Sequence, residues 1–158
     1  MAKVSKTNAM RILDKEKIPY EIKTYEYDES DLSGVTAAEK MGVDPNTIFK
    51  TLLLKDEKQN PMVCVIPVNQ EISLKTLASQ SGCKKCEMVH LKELLGLTGY
   101  IRGGCSPIGM KKLYPTFVES SALSLSQIGV SGGKRGIQIL LSPQDLIKIT
   151  NAKTFDNK

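Results

Sequence analysis

The chain has 158 residues, of which 41% are hydrophobic and 25% charged, which is enough apolar material for one domain over residues 1–158. No apolar run approaches the roughly 20 residues of a membrane helix, and the polar start lacks the apolar stretch of a signal peptide, so we expect a cytoplasmic protein without a membrane partner. The net charge of +5 favours polyanionic partners only modestly.

Helix and strand patterns alternate in the first third of the chain. Apolar spacing predicts a helix over 7–17, and alternation predicts a strand over 20–27, where a change of phase suggests a bulge. An acidic loop follows over 28–34. The capping box Thr36–Glu39 then predicts the start of a short helix, which Gly42 ends.

Two apolar strands come next. Asp44-Pro45 predicts a turn, followed by strands over 48–54 and 62–66 that a polar hairpin over 56–60 connects. Ser73 is the predicted cap of a helix that ends at Gly82.

The second half of the chain has shorter elements. We predict a helix over 91–95, strands over 116–119, 128–130 and 137–141, and a last helix capped by Ser142. Helices and strands that mix without strict alternation predict an α/β fold of the mixed α+β kind.

Lys50 is unusual because it lies inside an apolar strand. Alternation places it on one strand face with Leu52 and Leu54, and Phe49 and Leu53 on the other. It is either a lysine of an edge strand that extends to solvent, or a cation in the wall of a pocket that meets a phosphate or a developing negative charge.

Two glycine-rich segments carry basic residues. Gly103–Gly109, followed by Lys111 and Lys112, could form an anion-binding nest of main-chain amides, although a Gly-Pro segment read alone is more often an ordinary turn. Ser131–Gly136 contains Lys134 and Arg135 between two strands, which suits either phosphate recognition or the tip of a hairpin.

The cysteines and the single histidine favour no catalytic centre. Cys83 and Cys86 form a CxxC motif after a predicted helix, whereas redox motifs usually open one, and no second CxxC is present to complete a zinc site. His90 fits the start of a helix, so a catalytic triad has little support, and no metal-binding pattern is found. An enzyme of this sequence would act mainly by positioning and main-chain dipoles.

At these motifs the sequence resembles the YbaK/EbsC family, whose best-known members are Cys-tRNA(Pro) deacylases similar to the inserted editing domain of bacterial prolyl-tRNA synthetases. The resemblance extends from about Lys6 to Ile149 in the family's order and spacing. It is carried by Val43–Leu52, Thr98–Gly109 and Val130–Ile139, with support from Lys6–Met10 and Lys84–Met88.

The resemblance implies a single compact domain with a mixed, barrel-like β-sheet flanked by short helices. It implies an enzyme without cofactor or metal that deacylates mischarged Cys-tRNA(Pro), or Cys-tRNA(Cys), in trans. In the family's proposed mechanism the substrate's own thiol attacks the ester carbonyl, and the cysteine is released as a cyclic thiolactone. The terminal ribose hydroxyl of the tRNA assists this step. Prolyl-tRNA synthetase is a candidate partner.

The resemblance also assigns roles to residues. Lys50 matches the family's essential strand lysine, and a Gly-x-x-x-Pro element contains Gly103, Ser106 and Pro107; these four are the predicted catalytic residues. Predicted substrate contacts are Tyr25, Gly104, Ser131, Gly132 and Gln138. We expect attraction to the tRNA backbone from Lys111, Lys112, Lys134 and Arg135.

Two departures leave alternatives open. Gln138 stands where some members have Asp, and Cys105 stands where an aliphatic residue is common, so the pocket could accept another amino acid, as relatives that edit Ala-tRNA(Pro) do. A non-catalytic module that binds a tRNA end or a nucleotide is a second alternative. A thiol oxidoreductase that uses Cys83 and Cys86 is a third.

Overall fold

Serine and threonine caps begin four of the five α-helices in residues 5–158, the part of the chain that the computed structural model describes. None of these helices is long and apolar enough to cross a membrane. Their bounds are α1 (Asn8–Lys15), α2 (Gly34–Met41), α3 (Leu74–Ser81), α4 (Leu91–Thr98) and α5 (Pro143–Thr150).

Helix α2 begins earlier than the capping box predicts. Its cap is Ser33, whose hydroxyl accepts a hydrogen bond from the Thr36 main-chain N–H at 3.3 Å. The Thr36 hydroxyl donates instead to the Asp31 carboxylate at 2.6 Å. The predicted start at Thr36 is therefore wrong, because Ser33 supplies the cap three residues upstream.

Eight strands in the described residues form two sheets. A three-stranded sheet has the order β1-β7-β6, and a five-stranded sheet has the order β4-β2-β3-β5-β8. The strands are β1 (Glu21–Thr24), β2 (Phe49–Asp56), β3 (Pro61–Pro67), β4 (Cys86–Met88), β5 (Thr116–Glu119), β6 (Ile128–Ser131), β7 (Ile137–Leu141) and β8 (Lys153–Phe155).

The two sheets meet without closing into a barrel. Strand β2 is antiparallel to β3 and β4, whereas β3-β5 and β5-β8 are parallel, and β1-β7-β6 is antiparallel throughout. A single parallel bridge between Ile48 and Gly129 joins the start of β2 to β6. The mixed α/β fold is confirmed, and the barrel-like sheet is two open sheets held together at that bridge.

Several predicted bounds differ from the structure. Strand β1 ends at Thr24, so Tyr25 lies outside it and the change of phase marks the end of the strand instead of a bulge. Helix α4 extends to Thr98, beyond the predicted Leu95. Strands β4 and β8 were not predicted, because three residues are too few to show a period.

The alternation of β2 separates two apolar cores, as the sequence predicts. Phe49 and Leu53 pack in the larger core, to which α1 also contributes. Leu52 and Leu54 pack in or against the smaller core between the five-stranded sheet and α3. Strand β2 is thus fixed on both faces, which gives the residues at its start defined positions.

Candidate functional site

A cavity of about 330 Å³ lies at the start of β2, where the two sheets meet. Two loops complete it: the segment before α2, and the glycine-rich segment after α4. Its walls also include residues of β6 and β7. The lining residues are Tyr25, Leu32, Ser33, Gly34, Ala37, Ile48, Phe49, Lys50, Thr51, Leu52, Val68, Arg102, Gly103, Cys105, Ser131 and Gln138.

Lys50 supplies a partly buried cation to this cavity. Burial lowers the pKa of its ammonium group, and the nearby charge of Glu71 partly opposes that effect. Within residues 5–158 its ammonium group makes no salt bridge within 4.0 Å. A cation that is desolvated and unpaired is available to an anionic group of a ligand.

Arg102 is a second cation in the lining, and the sequence analysis missed it. Its side chain is exposed, and the lining contains no Asp, Glu or His. The cavity therefore has positive charge with no anion or imidazole in its wall, which favours phosphate or a developing oxyanion.

The backbone of Gly103 has the left-handed conformation, with φ of +84°. A Cβ atom at Gly103 would lie 3.3 Å from Leu32, and one at Gly104 would lie 3.1 Å from the backbone of Lys134 and of Arg135. The two glycine-rich segments are thus packed backbone against backbone. This contact places Gly103 in the cavity wall.

The main-chain amides of the glycine segments are only partly free to bind a ligand. The Gly104 N–H donates to the Ile101 carbonyl at 2.9 Å, and the Gly132 N–H donates to the Ile137 carbonyl at 2.9 Å. The Gly103 N–H has no hydrogen bond within the described residues. Of these three amides, that of Gly103 is therefore available as an oxyanion donor, since those of Gly104 and Gly132 are engaged.

Ser106 and Pro107 lie outside the cavity. Ser106 is fully buried, and its hydroxyl accepts from the Ile108 N–H at 3.2 Å. Pro107 lines a different pocket, which it shares with Gly109 and Met110. The structure thus places Ser106 and Pro107 in the turn that carries Gly103 and outside the cavity lining, and their catalytic role stays a prediction.

Three predicted substrate contacts do line the cavity. Tyr25 is partly buried, which raises its pKa, and the Ser131 hydroxyl accepts from the Gly133 N–H at 3.3 Å. Gln138 is 6% exposed, and its Oε1 atom has no hydrogen-bond partner in residues 5–158. A buried, unpaired acceptor is costly, so it points to a ligand or an ordered water.

The predicted tRNA-binding residues differ in availability. Lys111, Lys112 and Lys134 are exposed. The Arg135 Nε donates to the Arg102 carbonyl at 2.9 Å, and its guanidinium lies 3.7 Å from the Glu29 carboxylate. Arg135 thus holds the two glycine segments together and is less available to a phosphate than the lysines.

The four cysteines are free thiols. Cys86 begins β4, and its thiol donates to the Leu74 carbonyl at 3.3 Å; burial raises its pKa. Cys105 lines the cavity, and burial raises its pKa to about 11. No group of three or more His, Cys, Asp or Glu in residues 5–158 could hold a metal ion.

Comparison with known proteins gives a consistent result. The family model for the aminoacyl-tRNA editing domain matches residues 32–149. The chain is 51% identical over 148 residues to an Enterococcus faecalis protein named "Putative Cys-tRNA(Pro)/Cys-tRNA(Cys) deacylase EbsC", covering 94% of this chain and 90% of that protein.

A solved structure gives the same fold. The crystal structure of a "putative trans-editing enzyme for prolyl tRNA synthetase" superposes with a TM-score of 0.81 at 20% identity, over 98% of this chain and 99% of that one. Apart from Tyr25, the residues that line the cavity lie within the part of the chain that the family model matches. This chain belongs to the aminoacyl-tRNA editing domain family.

Proposed function

We propose that this protein removes cysteine from mischarged Cys-tRNA(Pro), and from Cys-tRNA(Cys), by cleaving the aminoacyl ester in trans. The observation that carries the proposal is the cavity that Lys50 and Gly103 share, whose wall has two cations and no anion. The 51% identity to the relative named as a deacylase of these two substrates supports the choice of amino acid.

The lining leaves the reactive groups to the substrate. It contains no carboxylate or imidazole that could serve as a general base, and the Cys105 thiol, with a pKa of about 11, is mostly protonated at neutral pH. The substrate's cysteine carries its own thiol, three bonds from the ester carbonyl carbon. That thiol is the nucleophile in our proposal.

In this step the sulfur forms a bond to the carbonyl carbon and the bond to the ribose oxygen breaks. The ribose oxygen leaves with the proton that the thiol gives up, so the products are a thiolactone and uncharged tRNA. The Gly103 N–H donates to the carbonyl oxygen as its negative charge develops. Lys50 holds the terminal nucleotide through its phosphate or ribose.

The rest of the tRNA lies outside the cavity. Lys134, Lys111 and Lys112 would attract its backbone without reading sequence, so a partner such as prolyl-tRNA synthetase would supply the choice of tRNA. We place this activity in the cytoplasm, where aminoacyl-tRNAs are made, and assign it to one editing domain over residues 1–158.

The direct test follows ester loss from a panel of tRNAs charged with cysteine, alanine or proline. We expect Cys-tRNA(Pro) to be deacylated fastest, and Pro-tRNA(Pro) to be spared. Faster loss of alanine would change the assigned substrate, and no loss beyond the uncatalysed rate, with tRNA still bound, would identify a binding module.

A pair of variants tests the site. Lys50→Ala should abolish most of the acceleration, whereas Lys58→Ala, which removes an exposed lysine from the turn between β2 and β3, should not. Equal activity of Lys50→Ala and the wild-type protein would refute the role of Lys50.

A further inference from the structure

A second depression, which we call the side groove, adjoins the cavity. Met88, Val89, Leu91 and Leu94 form its outer wall, and its volume is about 370 Å³. It shares five lining residues with the cavity, among them Thr51 and Arg102, so the two spaces are continuous. Met88 is 43% exposed and Leu91 57% exposed, so both leave apolar surface uncovered beside the groove.

At the junction of the cavity and the side groove, one edge of β2 lacks a hydrogen-bonded strand partner in the described residues. Asp56 N–H bonds to the Asn60 carbonyl and the Ile48 carbonyl accepts from Val68, so even-numbered residues of β2 direct their main-chain groups toward β3. Odd-numbered residues direct theirs the other way, and the Leu53 carbonyl accepts from Val89 on that side.

Thr51 lies on this edge. Within residues 5–158 its only strand partner is Val65 of β3, so its outward N–H and C=O have no strand to pair with there. Its hydroxyl oxygen is buried and also lacks a partner in the described part of the chain. An adjacent donor and acceptor, beside an apolar wall, are therefore presented to whatever occupies the junction.

We propose that the side groove binds the nucleobase of the terminal nucleotide of the tRNA, an inference that rests on the proposed deacylase function. The aminoacyl group and ribose occupy the cavity, and the base, attached to that ribose, enters the groove. Thr51 N–H and C=O pair with the acceptor and the amino group on the edge of the adenine. Met88 and Leu91 cover its face, and Arg102 at the junction meets the adjoining phosphate.

The geometry favours a base over a docked protein segment. An added β-strand needs a long run of unpaired residues on a sheet edge. In residues 5–158 the open stretch around Thr51 is short, because the Ile48–Gly129 bridge and the bond from Val89 to Leu53 bound it. A base edge needs one donor and one acceptor, and its face accepts apolar contact from a side chain.

The test compares small esters that differ in the base. Cysteine is esterified to adenosine, to purine riboside, which lacks the amino group, and to methyl riboside, which has no base. For the wild-type protein we expect kcat/KM to be about tenfold higher for the adenosine ester than for the methyl riboside ester. It should be about fivefold higher for the adenosine ester than for the purine riboside ester. Equal values for the three esters would overturn the proposal.

Two double variants locate the effect. Met88→Ser with Leu91→Ser should remove most of the preference for the adenosine ester. The matched control, Leu95→Ser with Leu113→Ser, changes leucines that are 55% and 71% exposed and line neither space, and should keep it. If the Met88→Ser/Leu91→Ser variant loses activity only when prolyl-tRNA synthetase is added to the assay, the groove is a protein-docking surface and the base site is refuted.

A binding measurement separates this proposal from the proposed function. Adenosine and methyl riboside are titrated into the wild-type protein while the amide resonance of Thr51 is followed by NMR. Adenosine should shift that resonance and methyl riboside should not. In the Met88→Ser/Leu91→Ser variant, adenosine should cause a much smaller shift. Failure to cleave Cys-tRNA(Pro) would refute the deacylase, whereas failure of adenosine to shift Thr51 would refute the base site.

Discussion

Replacing Gly104 by alanine should disturb the site through packing alone. Gly104 has no positive φ, so alanine is compatible with its backbone, but the new Cβ would lie 3.1 Å from the backbone of Lys134 and Arg135. Backbone atoms cannot rotate away, so the two glycine-rich segments must separate by a few tenths of an ångström. Overpacking of this kind costs ~2 kcal/mol in the free energy of unfolding.

The magnitude translates into two measurements. For a chain of this length, ~2 kcal/mol lowers Tm by about 6 °C in a thermal unfolding experiment. The shift also displaces Gly103 relative to Lys50, so we expect kcat/KM for Cys-tRNA(Pro) to fall about tenfold, since small misplacements of a positioning group are costly.

Gly96→Ala is the matched control. Gly96 lies in α4, and a Cβ there would meet nothing within 4 Å. Alanine is the better helix former by ~0.5–1 kcal/mol, so Tm should rise by about 2 °C without loss of activity. If Gly104→Ala behaves like Gly96→Ala in both measurements, the close backbone contact does not position the site.

Four further predictions concern charge and thiols. Because burial lowers the pKa of Lys50, the Lys50-dependent part of the deacylation rate should fall as pH rises through a value below 10.5, while Lys50→Arg, always charged, should show no such fall. The unfolded chain binds that proton more tightly, so the free energy of unfolding should rise with pH between the two pKa values, and this rise should be absent in Lys50→Met. Lys134→Ala should weaken tRNA binding about equally for all sequences and reduce the salt slope by about one, with the cysteinyl adenosine ester cleaved as before; a sequence-selective loss would contradict simple phosphate attraction. Since burial raises the Cys86 pKa, Cys83→Ser and Cys86→Ser should retain deacylation, and a disulfide-reductase assay should detect no activity in the wild type; activity that these variants lose would revive the oxidoreductase alternative.

The sequence predicted the residues whose chemistry is unusual for their place. Lys50 inside an apolar strand and Gly103 in a glycine-rich segment both line the cavity, as does Gln138. Ser106 and Pro107 belong to the same motif as Gly103, but a motif does not say which of its members face a ligand. Here the buried hydroxyl of Ser106 serves the turn itself.

The residues that were missed depend on pairing between distant parts of the chain. Thr51 is an ordinary strand residue until the register with β3 and the short β4 leave its outer edge open. Arg102 gains its place from the packing of Gly104 on the second glycine segment. Neither register nor packing between loops leaves a periodic signal in a single sequence.

The last residues of the chain complete a layer that the family match does not include. That match ends at residue 149, yet β8 pairs with β5, Phe155 is 2% exposed in the smaller core, and Asn157 bonds to Ser73 at 2.8 Å. A domain that is truncated at the family boundary would lack β8. The edge of β5 would then be unpaired and the smaller apolar core exposed to solvent, which promotes aggregation. A truncated version of the domain should therefore keep residues 150–158.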